Sequence, residues 1–316
     1  MRSILAPTFQ KIVQRPVDIE FDSEKKISNI LWSKGPLENT YSTFGTEQCG
    51  SRKQIVNAIE NTNDIVFIRL GSTKKTKDLD HFADSLHHLQ QPKILVTMDG
   101  DRSVPSSYDK RVVRKILSCD KIKAWYTQNY DRSLIDAKLK HIPIGFDLHT
   151  KKWLIEGSIQ KKISHIIAHR YSNPSDIRTR NVILCDAHNS KSHPERSVMY
   201  NKLKANKSIR FLSTSKSFTS IIKDYCSYNF VLAPRGNGLD THRLWELLLC
   251  GVIPIVKTSP LDAMYLQNQL PVVIVDKWDD LNTDTTAKLS EWYEKYSHLL
   301  KEENIFPKLS FEYWLK

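Results

Sequence analysis

The stretch YNFVLAPRGNGLDTHRLWELLLCGVIPIVKT, residues 228–258, sets the architecture. A short run of apolar and β-branched residues (228–233) enters a polar loop, Pro234-Arg235-Gly236-Asn237-Gly238. An amphipathic segment opens near Asp240 or Thr241, and Gly251 closes it before a second buried run. Strand, glycine-bearing loop, helix and strand form one crossover unit of a parallel sheet. Free N–H groups and the helix dipole converge where such a loop meets its helix, so the spot attracts anions. Gly236 and Gly238 allow close backbone approach or positive φ. Arg235 and Arg243 bring guanidinium forks suited to phosphate oxygens. His242 adds a donor, and Glu246 lies one turn on, where a carboxylate can receive ribose hydroxyls. The alternative is a tight turn in which Asp240 caps the helix and Arg243 makes a surface ion pair. Neither the Walker pattern nor GxGxxG is present.

Outward from this unit the same rhythm continues. Runs at 181–187, 209–215 and 272–278 follow in the second half, and 64–70, 93–99, 123–129 and 139–145 in the first. Their continuity suits strands covered on both faces, with helices between them, such as the segment that Ser51 would cap. The rhythm breaks from about 148 to 180, which predicts an α/β fold of two Rossmann-like domains facing a cleft, 1–150 and 151–316, the second ending in a helical tail. Within that tail Trp292, Tyr293 and Tyr296 fall at helical spacing and read as packing.

The loop-helix stretch PRGNGLDTHRLWELLLCGVIPIV resembles the C-terminal signature of exostosin-like glycosyltransferases in their compact viral and microbial form. Weaker resemblance runs through WYTQNYD and KLKHIPIGFDLHT to the VVIVDKW strand, covering roughly 120–280 and fading over the first 60 residues. The resemblance implies a GT-B-type enzyme with a nucleotide-sugar donor, most often a UDP-sugar, on the second domain and a glycan acceptor on the first. Carried over by position, Arg235, Gly236, Asn237 and Gly238 would line the donor loop. Asp240, Thr241, His242 and Arg243 would meet the diphosphate or sugar, and Glu246 the ribose. Inversion of configuration, with no essential metal, is what the family pattern implies.

A second strand-to-helix junction, 184–203, places Arg196 and Asn189 near phosphate or base. In the first half the carboxyl ends of the strands bring Gly71, Asp99-Gly100-Asp101, Gln128-Asn129 and Asp147 to the cleft. Asp101 and Asp99 are the leading candidates for a base that takes the acceptor proton. The triplet Asp99-Gly100-Asp101 also resembles the DxD metal motif of the other transferase architecture, or simply structures a loop. The HIIAH pair, His165 and His169, lacks the glutamate of HExxH and reads as a helix face.

Composition constrains the rest. The chain has 316 residues, 40% hydrophobic and 26% charged, which excludes disordered or fibrous classes. Its net charge of +12 favours an anionic partner. Basic clusters at 74–77, 151–152 and 161–162 read as solvated faces, or as contacts for an acidic polymer or membrane periphery. Five scattered cysteines read as buried thiols of a reducing compartment, and no apolar run is long enough to span a bilayer, so a cytoplasmic location is expected. Two rivals remain open: a basic nucleic-acid-binding protein on the same scaffold, although no zinc finger or RNP motif supports one, and a homologue that binds sugar nucleotides without turnover.

Overall fold

The computed structural model describes residues 18–22, 25–27, 29–34, 50–150, 154–187, 191–214 and 216–315. All nine strands expected from the apolar runs are present, in two fully parallel sheets. The first sheet holds β3 (Ile65–Arg69), β4 (Lys93–Met98), β5 (Ile122–Thr127) and β6 (Leu139–His141), in that spatial order. An antiparallel hairpin, β1 (Ile19–Asp22) and β2 (Lys25–Ile27), precedes it. The sequence reading did not anticipate the hairpin, because such short strands carry too few alternations to show a period of two.

Side chains alternate across the first sheet, and the two faces meet different cores. Val66, Ile68, Leu95 and Trp125 pack under α1 (Arg52–Glu60), α2 (Asp78–Asp84) and α3 (Lys110–Leu117). Ser51 caps α1 as expected, with a full capping box through Gln54. The opposite residues, Phe67, Val96, Met98, Ala124 and Tyr126, join a larger core that extends through the second half of the chain.

The break in rhythm is a helix, α4 (Ile159–Ser172), capped by Ser158. Beyond it come β7 (Thr179–Cys185), α5 (Glu195–Leu203), β8 (Ile209–Phe211), α6 (Phe218–Tyr225) and β9 (Tyr228–Leu232). They are followed by α7 (His242–Leu249), β10 (Ile253–Lys257), α8 (Asp262–Gln267), β11 (Val273–Val275) and α9 (Thr285–Tyr296). The second sheet runs β11-β10-β9-β7-β8. Trp292, Tyr293 and Tyr296 of α9 pack against its core. Cys185, Cys226 and Cys250 are buried thiols outside any disulfide, while Cys49 lies outside the described residues. Among the described residues no helix is long and apolar enough to cross a membrane.

Three distant segments are stitched together between the sheets. Leu31 donates to the Leu309 carbonyl at 2.8 Å and accepts from Phe146 N at 2.9 Å, while Phe311 N donates to Asn29 O. Gly145, at φ +64°, sits so close to this seam that a Cβ would lie 2.3 Å from the Leu31 carbonyl oxygen, and only glycine fits.

The imidazole of His141, at the end of β6, has no hydrogen-bond partner for either ring nitrogen among the described residues and stacks obliquely on Tyr130 at 4.7 Å. Burial first, and Arg132 second, lower its pKa from 6.5 to about 4. Unfolded, this histidine takes a proton below about pH 6.5; folded, it resists until about 4. Its contribution is therefore intact above pH 6.5 and falls away toward pH 4, by up to about 3 kcal/mol. The expected outcome is that His141→Phe has a visibly flatter melting temperature between pH 6.5 and 4 than the parent chain, read by circular dichroism.

Candidate functional site

The carboxyl ends of the strands in both sheets face one cleft, as open α/β sheets require of a ligand site. Between them lies a cavity of about 550 Å³. Of the residues singled out from sequence, Asp101, Arg196, Gly236, Asn237, Gly238, Asp240, Thr241, His242, Arg243 and Glu246 all line it. Arg235 instead faces a smaller neighbouring cavity of about 180 Å³, and Asp99 turns inward. Asn189 lies outside the described residues.

Asp240 is 4% exposed, and its carboxylate holds the two halves of the cleft together. Thr241 N donates to Oδ1 at 2.8 Å, Ile144 N to Oδ2 at 2.8 Å, and Trp245 Nε1 reaches both oxygens at 3.1 Å. Burial pushes this carboxyl up to about 6, against the pull of those three donors, so it is mainly ionised at pH 7. Asp240 is thus neither the helix cap nor a group free to meet a ligand. Thr241 occupies the cap position and makes no side-chain cap bond, so α7 begins with its first N–H groups lacking a capping side chain.

Asn129 completes the joint. It is 1% exposed; its Oδ1 accepts from Asp240 N at 3.0 Å and its Nδ2 donates to Gly100 O at 3.0 Å. A Cβ on Gly238 would lie 3.0 Å from Asn129 Nδ2, so any side chain there would push on the Asn129 amide, whereas Gly236 has ordinary room. One side chain therefore joins the loop of Gly238-Asp240 to the loop of Gly100.

The opposite end of α7 is closed by two arginines. Arg170 Nη1 donates to Leu249 O at 3.0 Å, and Arg178 donates to Gly251 O at 2.7 Å and Cys250 O at 3.0 Å. Positive charge on these terminal carbonyls satisfies the negative end of the helix.

At the open end, Arg243 pairs with Asp186 at 2.9 Å and donates from its Nε to Tyr225 Oη at 3.1 Å. Burial opposes its charge, but Asp186 and Tyr225 outweigh burial and raise its pKa. Arg196 clamps the loop after β9, its Nε donating to Arg235 O at 2.9 Å. Burial, and then Arg243, lower Arg196 to about 10, still charged at neutral pH. Arg243 is thus paired with Asp186, while Arg196 serves the backbone carbonyls of Arg235 and Pro234 and feels Asp186 through space. Arg235 bonds to its own loop through Asn237 O at 3.1 Å.

The two candidate bases separate. Asp99, at φ +60°, is held by Lys34 at 2.7 Å and Arg69 at 3.2 Å. Asp101, two residues on, lines the cavity and makes no hydrogen bond or ion pair among the described residues. Glu246 is paired with Lys162 Nζ at 2.8 Å. Lys162 is fully buried, which corrects its reading as part of a solvated basic face; Lys161 pairs with Glu156, and Lys151-Lys152 lie outside the described residues. His165 and His169 stack edge-to-face on α4, consistent with a helix face.

Sequence reasoning placed Asp147 at the cleft but passed over His149, which stands beside it. Its Nδ1 lies 3.1 Å from Asp147 Oδ1, and burial, partly offset by Asp147, lowers it to about 4. The D-x-H spacing in FDLHT was the available signal.

No protein-family profile matches the chain, and no curated protein matches it. Solved structures match at low similarity. Anabaena HepE in complex with UDP-glucose aligns with TM-score 0.40 and 12% identity, over 83% of this chain and 78% of that one. An α-glucosyltransferase in complex with UDP-glucose and DNA containing an abasic site gives 0.39 and 10%, over 82% and 79%. The UDP-GlcNAc 2-epimerase from Methanocaldococcus jannaschii gives 0.33 and 12%, over 83% and 82%. The functional reading rests on the site's own geometry.

Asp240→Asn replaces one acceptor oxygen by a donor that faces the N–H of Thr241 or Ile144. The expected loss is about 1–3 kcal/mol of stability, the cost of buried donors left unpaired, measured by urea denaturation.

Proposed function

We propose that the chain is a GT-B-type glycosyltransferase of the exostosin-like class. It would move a sugar from a nucleoside diphosphate donor, a UDP-sugar by preference, to a glycan hydroxyl. The observation that carries this reading is the 550 Å³ cavity, where a helix start without a side-chain cap and two guanidinium groups, one paired with Asp186 and one held by backbone carbonyls, face Asp101, which has no partner among the described residues. Its size suits a nucleotide-sized ligand. Positive charge with no mobile counterpart stabilises an anion that grows as the reaction proceeds, here the departing diphosphate.

In this reading the halves, divided near residue 150, have separate tasks. The second holds the donor: loop 236–238 and the start of α7 meet the diphosphate, with Arg196 and Arg243 behind them. Glu246, oriented by Lys162, receives the ribose hydroxyls. The first half supplies Asp101 as the base. As the acceptor oxygen bonds to the anomeric carbon, the bond from that carbon to the diphosphate oxygen breaks, and Asp101 takes the hydroxyl proton. Attack opposite the leaving group inverts the anomeric centre. Asp99 acts on the same loop from beneath, through Lys34 and Arg69. We assign no essential metal to the departure of the diphosphate, since helix and guanidinium groups meet its charge.

Calorimetric titration with UDP, GDP and CMP and their sugars should show selective binding of one nucleoside diphosphate. Glu246→Ala should weaken it about tenfold or more, the equivalent of 1.4 kcal/mol. Asp101→Asn should keep donor affinity while lowering turnover by about 10²–10⁴. Absence of nucleotide binding, with tight salt-sensitive binding of an oligonucleotide, would replace this reading by the nucleic-acid one.

A further inference from the structure

Two imidazoles and a carboxylate meet on the wall of the cleft, at the start of α7. Asp147 and His149 lie two residues apart after the tight turn at Gly145, and His242 opens α7. One donor atom of each lies within 4.8 Å of the others.

The partners of these residues already orient them as ligands. His242 Nδ1 is 2.8 Å from the Gly145 carbonyl, which can only accept; Nδ1 therefore carries the proton and Nε2 keeps a free lone pair. A backbone carbonyl behind an imidazole is the usual outer partner of a ligating histidine. Asp147 Oδ1 is pinned by Thr150 N at 2.9 Å, and His149 Nδ1 is 3.2 Å from Ser33 Oγ. The rings of His149 and His242 are 5.8 Å apart at their centroids. Neighbouring positive charge is already answered, since Lys162 pairs with Glu246 and Lys34 with Asp99. A cation arriving here meets the charge of Asp147 without an unpaired lysine beside it.

We propose that Asp147, His149 and His242 bind one divalent transition-metal ion of the zinc class. Imidazole and carboxylate donors suit that class, and calcium or magnesium would want oxygen ligands throughout. A tetrahedral ion about 2.1 Å from each donor holds its ligands about 3.4 Å apart, so the three side chains close by at most roughly 1.4 Å. Asp147 and His242 also line the large cavity, so the remaining coordination position opens into the cleft. The site stands on this cluster alone and does not depend on which nucleotide, if any, the cleft accepts.

The test uses the full chain, stripped with a chelator and titrated with Zn²⁺ by calorimetry and with Co²⁺ by visible absorption. One ion per chain is expected, with a Co²⁺ spectrum typical of nitrogen and oxygen ligands. His149→Ala and Asp147→Asn should each weaken binding at least about tenfold, in protein whose circular dichroism and melting are unchanged. His165→Ala, at the HIIAH pair on α4, should leave binding as it was. Folded chain that takes up neither ion overturns the proposal. Binding that survives both His149→Ala and His242→Ala, or that is lost in His165→Ala, overturns it equally.

Discussion

A carboxylate buried between two sheets must be surrounded by donors, and Asp240 draws them from both halves of the molecule. Ile144 belongs to the segment leaving the first sheet, while Thr241 and Trp245 belong to α7. Removing a charge from water is costly, and incomplete pairing makes it prohibitive, so the loop and the helix start have little freedom to rearrange. Asn129 passes the same constraint on to Gly100, and hence to the loop that carries Asp101. The relative position of the 236–238 loop and the loop of Asp101 is thereby fixed by a few hydrogen bonds around one buried residue.

Charge in the cleft is arranged asymmetrically along α7. Arg170 and Arg178 satisfy the carbonyl end, while the amide end has no side-chain cap and faces Arg196 and Arg243. A helix closed at one end and open at the other directs its dipole toward a single place. The +12 charge of the chain is partly consumed in this interior work. Lys34, Lys93, Lys162, Arg178 and Arg196 are all buried, and several serve backbone carbonyls. Net charge from composition therefore overstates the basic surface left for an acidic polymer.

The strands were legible because parallel strands covered on both faces are written as continuous apolar runs, and α1 because its capping box is local. The cluster of candidates around 235–246 was legible for the same reason: a strand, a loop and a helix start adjacent in sequence stay adjacent in space. Tertiary pairing was not. Nothing local distinguishes Asp99 from Asp101; Lys34, some 65 residues earlier, makes the difference. Asp240 before a helix looks like a cap, and only the approach of Ile144 turns it inward. Lys162 looks solvated beside Lys161 until Glu246, 84 residues later, comes to meet it.

The seam where Leu31 lies between Phe146 and Leu309 also bears on how the chain is made. Residues 30 and 310 form a bridge across nearly the whole sequence. On the ribosome the first sheet can pair early, since its strands are neighbours in order, but Leu31 must wait for Leu309 to emerge. Until then the surface of Phe67, Val96 and Met98 has an incomplete cover. The first half thus emerges from the ribosome as an unfinished template, and its inner face lacks this cover until residues 309–311 follow.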